Sequence, residues 1–313
     1  MLFLSTTVDG IQLGLCYALV ALGMYIAYSI LDFPDLTIDG SFPLGGVIGT
    51  ILIFRCHFPP LLALLGAMLA GALTGALTGA LHVRFGITKL LSGIIVMTAL
   101  LSGTLALTKL LTGTGYTINN FSYIANRFDG LFNTGNQVMG DLGIILVLLA
   151  IAVAVKLLLD LFFSTKLGFM LRAVGDNEAL IVSLGRNPGV YKIVGLALGN
   201  GLAACGGALY AQLTMNYDNT SGSGKVVLAL ASVIIGLSLF SRARRVRPTT
   251  AVIVGAIIYS LCLNYFTLLD PDGTYLKLMN AAAFAVILIL NSLPAKKKPG
   301  KAGRKPSAGG GAQ

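Results

Sequence analysis

Apolar residues fall in long runs separated by short polar stretches along nearly the whole chain. Nine such segments can be drawn: Ile11–Leu31, Phe42–Phe54, Leu61–Leu81, Leu90–Leu111, Leu142–Phe163, Tyr191–Thr214, Val226–Phe240, Thr249–Leu269 and Tyr275–Leu293. Most approach the ~20 residues a helix needs to cross a bilayer. A soluble core can hide one or two runs of this kind, but not nine. The pattern predicts an all-α, polytopic membrane helical bundle over residues 1–293, with a disordered, Lys-, Pro- and Gly-rich tail over 294–313.

Two segments, Phe42–Phe54 and Val226–Phe240, are too short for a full hydrocarbon core at ~1.5 Å per residue. Each follows a polar, turn-rich stretch, and each is the second member of a four-segment group. Leu142–Phe163 stands between the groups and makes them opposite in direction. That layout predicts an inverted repeat, whose short, broken or re-entrant helices mark a transport pathway near the midplane.

Composition agrees with a membrane setting: 56% of residues are hydrophobic and 11% charged, against roughly 25% charged in soluble domains. The formal charge of +10 is read as a topology signal and an attraction to anionic lipid, not as a nucleic-acid surface. Arg84, Lys89, Lys166, Arg172, Arg186, Arg242, Arg244, Arg245, Arg247 and the basic tail fall on one side of nine spans. Arg55, Arg127, Lys225 and Lys277 fall in the opposite loops, with Asp129, Asp141, Asp218, Asp270 and Asp272. The positive-inside rule then places the N-terminus outside and the C-terminal tail in the cytoplasm. MLFLSTTVDG lacks a basic leader and a cleavage site, so the first span is expected to be retained. The cysteines (Cys16, Cys56, Cys205, Cys262) stand singly and read as small apolar residues, and no metal or other cofactor is expected.

Two stretches carry candidate chemistry. In Asp32–Pro43, three carboxylates, two prolines and a glycine interrupt a membrane hairpin. It is either an exposed cytoplasmic loop or a re-entrant segment with Asp35, Thr37, Asp39 and Ser41 nearest a permeating solute. Glycines at Gly71, Gly75 and Gly79 share one helix face and allow close backbone approach, within the chain or at a dimer seam. Lys156 and Asp160 are spaced to pair on one face. His57 and His82 fall on opposite sides and cannot share a metal. The second stretch, Lys166–Arg186, is predicted cytoplasmic. Asp176 or Asn177 can cap a short helix there, Glu178 sits in its first turn, and Gly185 closes it. Apolar Ala179, Leu180, Val182 and Leu184 on such a helix suggest a docking knob.

The pattern Gly168-x3-Arg172-Ala173-Val174-Gly175-Asp176-Asn177-x7-Gly185 resembles the coupling loop of ABC importer permeases of the branched-chain amino acid and ribose superfamily. Gly14–Gly23 and the Asp-rich break after it are similar to the first span and following segment of those permeases. The resemblance covers about residues 8–292 and is nearest a branch linked to aromatic and other amino acids. It implies a bacterial inner-membrane permease, not itself an enzyme, that moves a small solute, with a second permease copy (a homodimer or heterodimer), two ATPase subunits and an extracytoplasmic solute-binding protein. The loop matching Asp176–Leu184, with Arg172, Gly175, Asn177, Glu178, Ala179, Leu180 and Gly185, is implied to seat on the ATPase. Ser241–Arg247 departs from the usual glycine-rich turn. Gly222-Ser223-Gly224-Lys225 lacks the spacing of a phosphate-binding loop, so ATP is expected to be hydrolysed on another chain. The alternative from a different class is an ion-gradient-driven secondary transporter, which would have no need of the Lys166–Arg186 loop.

Overall fold

The computed structural model describes residues 2–112, 117–119, 137–241 and 246–269, with isolated helical positions between 278 and 289. α1 (Leu2–Met24) passes into a π-helical turn (Tyr25–Ile30). After the break at Leu31–Thr37 come α2 (Ile38–Phe54), α3 (Pro60–Phe85) and α4 (Lys89–Thr112). β1 (Thr117–Asn119) precedes α5 (Gln137–Ser164), α6 (Lys166–Asp176), α7 (Glu178–Ser183) and α8 (Pro188–Thr214). β2 (Asn216–Asp218), a 3₁₀ turn (Asn219–Gly222), α9 (Lys225–Leu239) and α10 (Pro248–Leu269) complete the described chain.

Among the described residues, seven helical stretches are long and apolar enough to cross a membrane, and α2 is a shorter apolar helix. Eight of the nine apolar segments of the sequence therefore correspond to helices; Tyr275–Leu293 and the tail 294–313 lie outside the described residues apart from the isolated positions noted. Three local features differ from the sequence reading. α1 starts at Leu2 rather than Ile11. α6 is an additional amphipathic helix, started by Thr165, whose hydroxyl accepts from Gly168 N. β1 and β2 pair antiparallel, Thr117 opposite Asp218, and so join the two loops that follow α4 and α8.

Local chemistry sets the helix limits. Pro60 and Pro188 occupy first-turn positions, where their missing N–H costs nothing. Asn187 caps α8 by accepting from Gly189 N, and Gly86, at φ +67, closes α3. In the α1 span 83% of the most apolar stretch is buried and in α8 72%, against 22% in α4 and α5. The first two thus form the axis of the bundle and the latter two its rim.

Packing on that axis follows one scheme twice. α3 and α2 pack on α8, as α10 and α9 pack on α1; α2 meets α3, as α9 meets α10; and α1 meets α8 directly. The glycine face of α3 is turned inward. A Cβ on Gly71 would overlap Ala204 and the Asn200 carbonyl, one on Gly75 the Leu196 carbonyl, and one on Gly79 would lie 2.8 Å from Ile193 Cα. The contact is therefore backbone on backbone, within the chain. On the outward face Leu61, Leu65, Leu69, Leu73 and Leu77 are exposed. That stripe suits lipid or a partner helix.

Candidate functional site

The break between the π turn and α2 folds back into the bundle. Its three carboxylates separate by depth. Asp32 is exposed beside Lys89, 3.7 Å away. Asp35 is completely buried, and Asp39, in the first turn of α2, is half-buried. Asn200, Asp35's partner, stands about 18 Å along α8 from Pro188, near the middle of that helix, at ~1.5 Å per residue. The segment is thus held inside the bundle beside the middle of α8, and of its three carboxylates only Asp32 is exposed.

A buried polar site needs complete hydrogen bonding, because an unpaired group in a low-dielectric interior keeps its full desolvation cost. Asp35 Oδ2 accepts from Asn200 Nδ2 at 2.6 Å, and Oδ1 accepts from Thr37 N at 2.9 Å. Ser41 Oγ donates to Asn200 Oδ1 at 2.8 Å and lies 2.9 Å from Thr74 Oγ1. The hydroxyls of Thr37 and Thr78 are 2.9 Å apart. Asp35, Thr37, Ser41, Thr74, Thr78 and Asn200 are all buried. This network ties the break and α2 to α3 and α8.

Asp39 serves a different helix. α9 begins after Gly224, at φ +82, which has no side chain with which to cap it. The carboxylate of Asp39 does so, accepting from Val226 N at 2.7 Å and Gly224 N at 3.3 Å. A negative group at the positive end of a helix is electrostatically favourable. Pro43 lies inside α2 and has no N–H for the Asp39 carbonyl four residues back. A Cβ on Gly222 would meet that carbonyl and lie 2.6 Å from Pro43 Cδ, so the 3₁₀ turn packs straight onto this defect. The 3₁₀ turn and α9 together make a stretch, Asn219–Leu239, long enough to span, so of the two segments the sequence reads as short only α2 remains so. The N-termini of α2 and α9 meet inside the bundle.

Lys225, the first residue of α9, was placed by its sequence context in an exterior loop; the structure corrects this. Its Nζ donates to Tyr17 Oη at 2.9 Å and sits 4.3 Å from the Tyr17 ring centroid, and 5.1 Å from those of Phe42 and Tyr210. Tyr17 and Tyr210 stack at 5.8 Å. An ammonium in an aromatic box gains from the ring quadrupoles while shedding water. Asp39, Lys225, Tyr17, Phe42 and Tyr210 thus form one half-open cluster of a cation, an anion and π faces. Asn200, Tyr17 and Tyr210 were not singled out from sequence, since each lies inside an apolar run.

The Lys166–Arg186 stretch is an exposed helical hairpin. Asn177 caps α7 by accepting from Leu180 N at 3.3 Å, while Asp176 ends α6. Gly185, at φ +70, closes α7, with its N–H on Val182 O at 2.9 Å. Glu178 pairs with Lys192 at 2.7 Å and Arg172 stacks 4.8 Å from the Phe163 ring. Ile181 is buried; Ala179, Leu180, Val182 and Leu184 are exposed. Gly175 packs directly on the π turn: an added Cβ would collide with the Ile30 carbonyl. One residue on, Leu31 wedges against α8, where a Cβ on Gly195 would meet Leu31 Cδ1 at 2.5 Å and Leu171 Cδ1 at 2.9 Å. The exposed hairpin and the buried break are therefore in series.

Elsewhere, Asp160 accepts from Thr249 at 2.7 Å and pairs with Lys156 at 3.0 Å and Arg247 at 2.9 Å. His82 hydrogen-bonds Ile87 O at 2.8 Å and packs edge-on against Phe33. Among the described residues no cluster of metal-ligating side chains occurs.

Comparison with known proteins matches residues 6–291 to the model of the branched-chain amino acid transport system permease component family. The tyrosine transport system permease protein of Clostridioides difficile (strain R20291) is 37% identical over 280 residues, covering 90% of this chain and 89% of that protein. An uncharacterized protein of Rickettsia prowazekii (strain Madrid E) is 26% identical over 291 residues, 88% of this chain and 94% of its own. A nucleoside ABC transporter permease protein of Lactococcus lactis subsp. cremoris (strain MG1363) is 31% identical over 144 residues, 46% of this chain and 39% of its own. No solved structure matches significantly. With a family match spanning nearly all of its length and a multi-pass helical fold to go with it, the chain belongs to the branched-chain amino acid transport system permease component family.

Proposed function

We propose that this chain is the membrane-spanning subunit of a bacterial ABC importer that moves a small zwitterionic solute, an amino acid in the first instance. The observation that carries this reading is the contact of Gly175 with the Ile30 carbonyl, which links an exposed apolar hairpin to the buried Asp35–Ser41 segment without an intervening side chain. The name of the tyrosine transport relative supports the amino-acid class.

The hairpin α6–α7 is the cytoplasmic docking element for a separate ATPase, with Leu180, Val182 and Leu184 as its apolar face. An extracytoplasmic binding protein delivers the solute near the β1–β2 sheet, and a second copy of the permease completes the pathway. The repeated packing scheme of α1–α3 and α8–α10 supports an inverted repeat, with the N-terminus outside and the basic loops in the cytoplasm. Asp39 and Lys225, at the N-termini of α2 and α9, are the groups offered to the solute's ammonium and carboxylate. ATP-driven movement of the hairpin then rocks the spans about this junction.

The test is purification of the tagged chain from its native membrane in mild detergent, with the co-purifying proteins identified. An ABC ATPase should accompany the wild type and be lost from a Leu180→Asp/Leu184→Asp variant that still inserts and elutes as a single species. Retained ATPase, or transport by the lone chain in proteoliposomes without ATP, would sink the proposal.

A further inference from the structure

A cavity of ≈330 Å³ opens where the end of α5, the second half of α6, the start of α10 and the π turn converge. Its walls carry Arg172, Arg247, Asp160, Ser164, Thr249 and Tyr25. Asp160, buried to 8% side-chain exposure, is already matched by Lys156, Arg247 and Thr249. Arg172 has the Phe163 ring on one side and is otherwise exposed. The lining therefore has more positive than negative charge, with three hydroxyls beside it.

The position of the cavity says what kind of anion suits it. Ser164 and Pro248 are terminal residues of two candidate membrane spans. Leu157, Leu161 and Ser164 follow one another at helical spacing along α5, and both leucines are exposed. An apolar stripe thus runs along the outside of the bundle into a basic, hydroxyl-lined pocket. Exposed Leu167 and Phe169 on amphipathic α6 extend the apolar margin beside it. Acyl chains fit the stripe, and guanidinium groups suit a phosphodiester by forked hydrogen bonds. Basic pockets between spans at the membrane surface are a recurring form of headgroup site.

We infer that this cavity binds the headgroup of an anionic phospholipid, held between Arg172 and Arg247 with its acyl chains on the Leu157–Leu161 face of α5. The lipid bridges the docking hairpin to the spans, since Arg172 belongs to α6 while Arg247 precedes α10. This inference stands whether or not the solute is an amino acid.

The full-length chain is reconstituted in nanodiscs of phosphatidylcholine with a minor fraction of phosphatidylglycerol, then extracted, and retained lipid is counted by native mass spectrometry. Wild type should keep phosphatidylglycerol in preference to phosphatidylcholine. Arg172→Gln should weaken that retention about tenfold, the loss of one charge-assisted contact, while Arg172→Lys keeps most of it. All three proteins must elute as one species of equal helical content. Equal retention of both lipids by wild type, or unchanged retention in Arg172→Gln, would overturn the inference. So would displacement of the lipid by millimolar inorganic phosphate, which assigns the pocket to a free anion. Indifference to lipid together with loss of co-purifying ATPase in Arg172→Gln would give the pocket to a protein carboxylate instead, and equally overturn it.

Discussion

The Asp35–Asn200 hydrogen bond can be tested by exchanging its ends. Asn200 donates to Asp35 Oδ2 at 2.6 Å and accepts from Ser41 Oγ at 2.8 Å. Asn200→Asp keeps the acceptor for Ser41 but sets two carboxylates face to face. At about 2.6 Å and an effective dielectric of about 20 the repulsion approaches ~6 kcal/mol, a ceiling that a shared proton lowers. Asn200→Leu leaves the Asp35 oxygen and the Ser41 hydroxyl each short of a partner, at about 1–3 kcal/mol apiece. The exchange Asp35→Asn/Asn200→Asp rebuilds the pair: the new amide donates to the new carboxylate, which still accepts from Ser41, and the amide oxygen still accepts from Thr37 N; only the Asn200 donation to the Leu196 carbonyl at 3.1 Å is lost. The double variant should therefore recover most of the stability lost in Asn200→Asp, a coupling above the ~0.5–3 kcal/mol usual for neighbouring residues. The assay is the fraction remaining monodisperse in detergent after a temperature series, read by fluorescence-detected gel filtration. If the double variant unfolds no later than Asn200→Asp, the network does not hold the break in place.

Gly175→Val should leave the chain inserted but stop transport, because its side chain has no room beside the Ile30 carbonyl; solute uptake scored against expression level checks this, and full uptake would contradict it. Gly75→Leu should cost about 1–3 kcal/mol through overpacking of α3 on the Leu196 carbonyl, whereas Leu73→Ala on the outward stripe should stay within about 0.5 kcal/mol, both read as thermal midpoints in detergent. Lys225→Met should retain the fold, since a thioether suits the box of Tyr17, Phe42 and Tyr210, yet cut uptake at least about tenfold if the ammonium meets the solute; unchanged uptake with unchanged stability would make Lys225 a packing residue only.

The periodicity of the chain was enough to place eight apolar helices among the described residues, because a bilayer demands a run of fixed length and backbone hydrogen bonds closed within each run. It was poorer at the ends. α1 continues back to Leu2 through Thr6, Thr7 and Asp9, a polar turn that hydropathy alone cuts away. α6 is amphipathic, with Leu171 and Val174 buried and Phe169 outside, so its mean polarity resembles a loop. The glycine face of α3 was visible as a four-residue spacing, but the spacing alone left open which helix it faced. The answer, α8, depends on a helix more than a hundred residues away in sequence, as the contacts of Gly71, Gly75 and Gly79 show.

The site was legible only where it breaks a pattern. Asp32-Phe33-Pro34-Asp35 stands out because two carboxylates and a proline interrupt an apolar run; in the fold Asp35 is buried. What the residues could not say is that the three aspartates have separate partners: Lys89 for Asp32, Asn200 for Asp35 and the start of α9 for Asp39. Asn200 and Tyr17 are masked because each is one polar group in a long helix. Lys225 was misread because a lysine after Ser-Gly-Ser-Gly has the sequence look of a surface loop. A helix whose N-cap is glycine still needs an acceptor for its first N–H groups, and no side chain at the cap supplies one. The accounting that locates Asp39 is therefore a question put to α9, not to α2: whichever carboxylate closes that N-terminus must come from elsewhere in the fold, and it brings Lys225 and its aromatic neighbours to the same place.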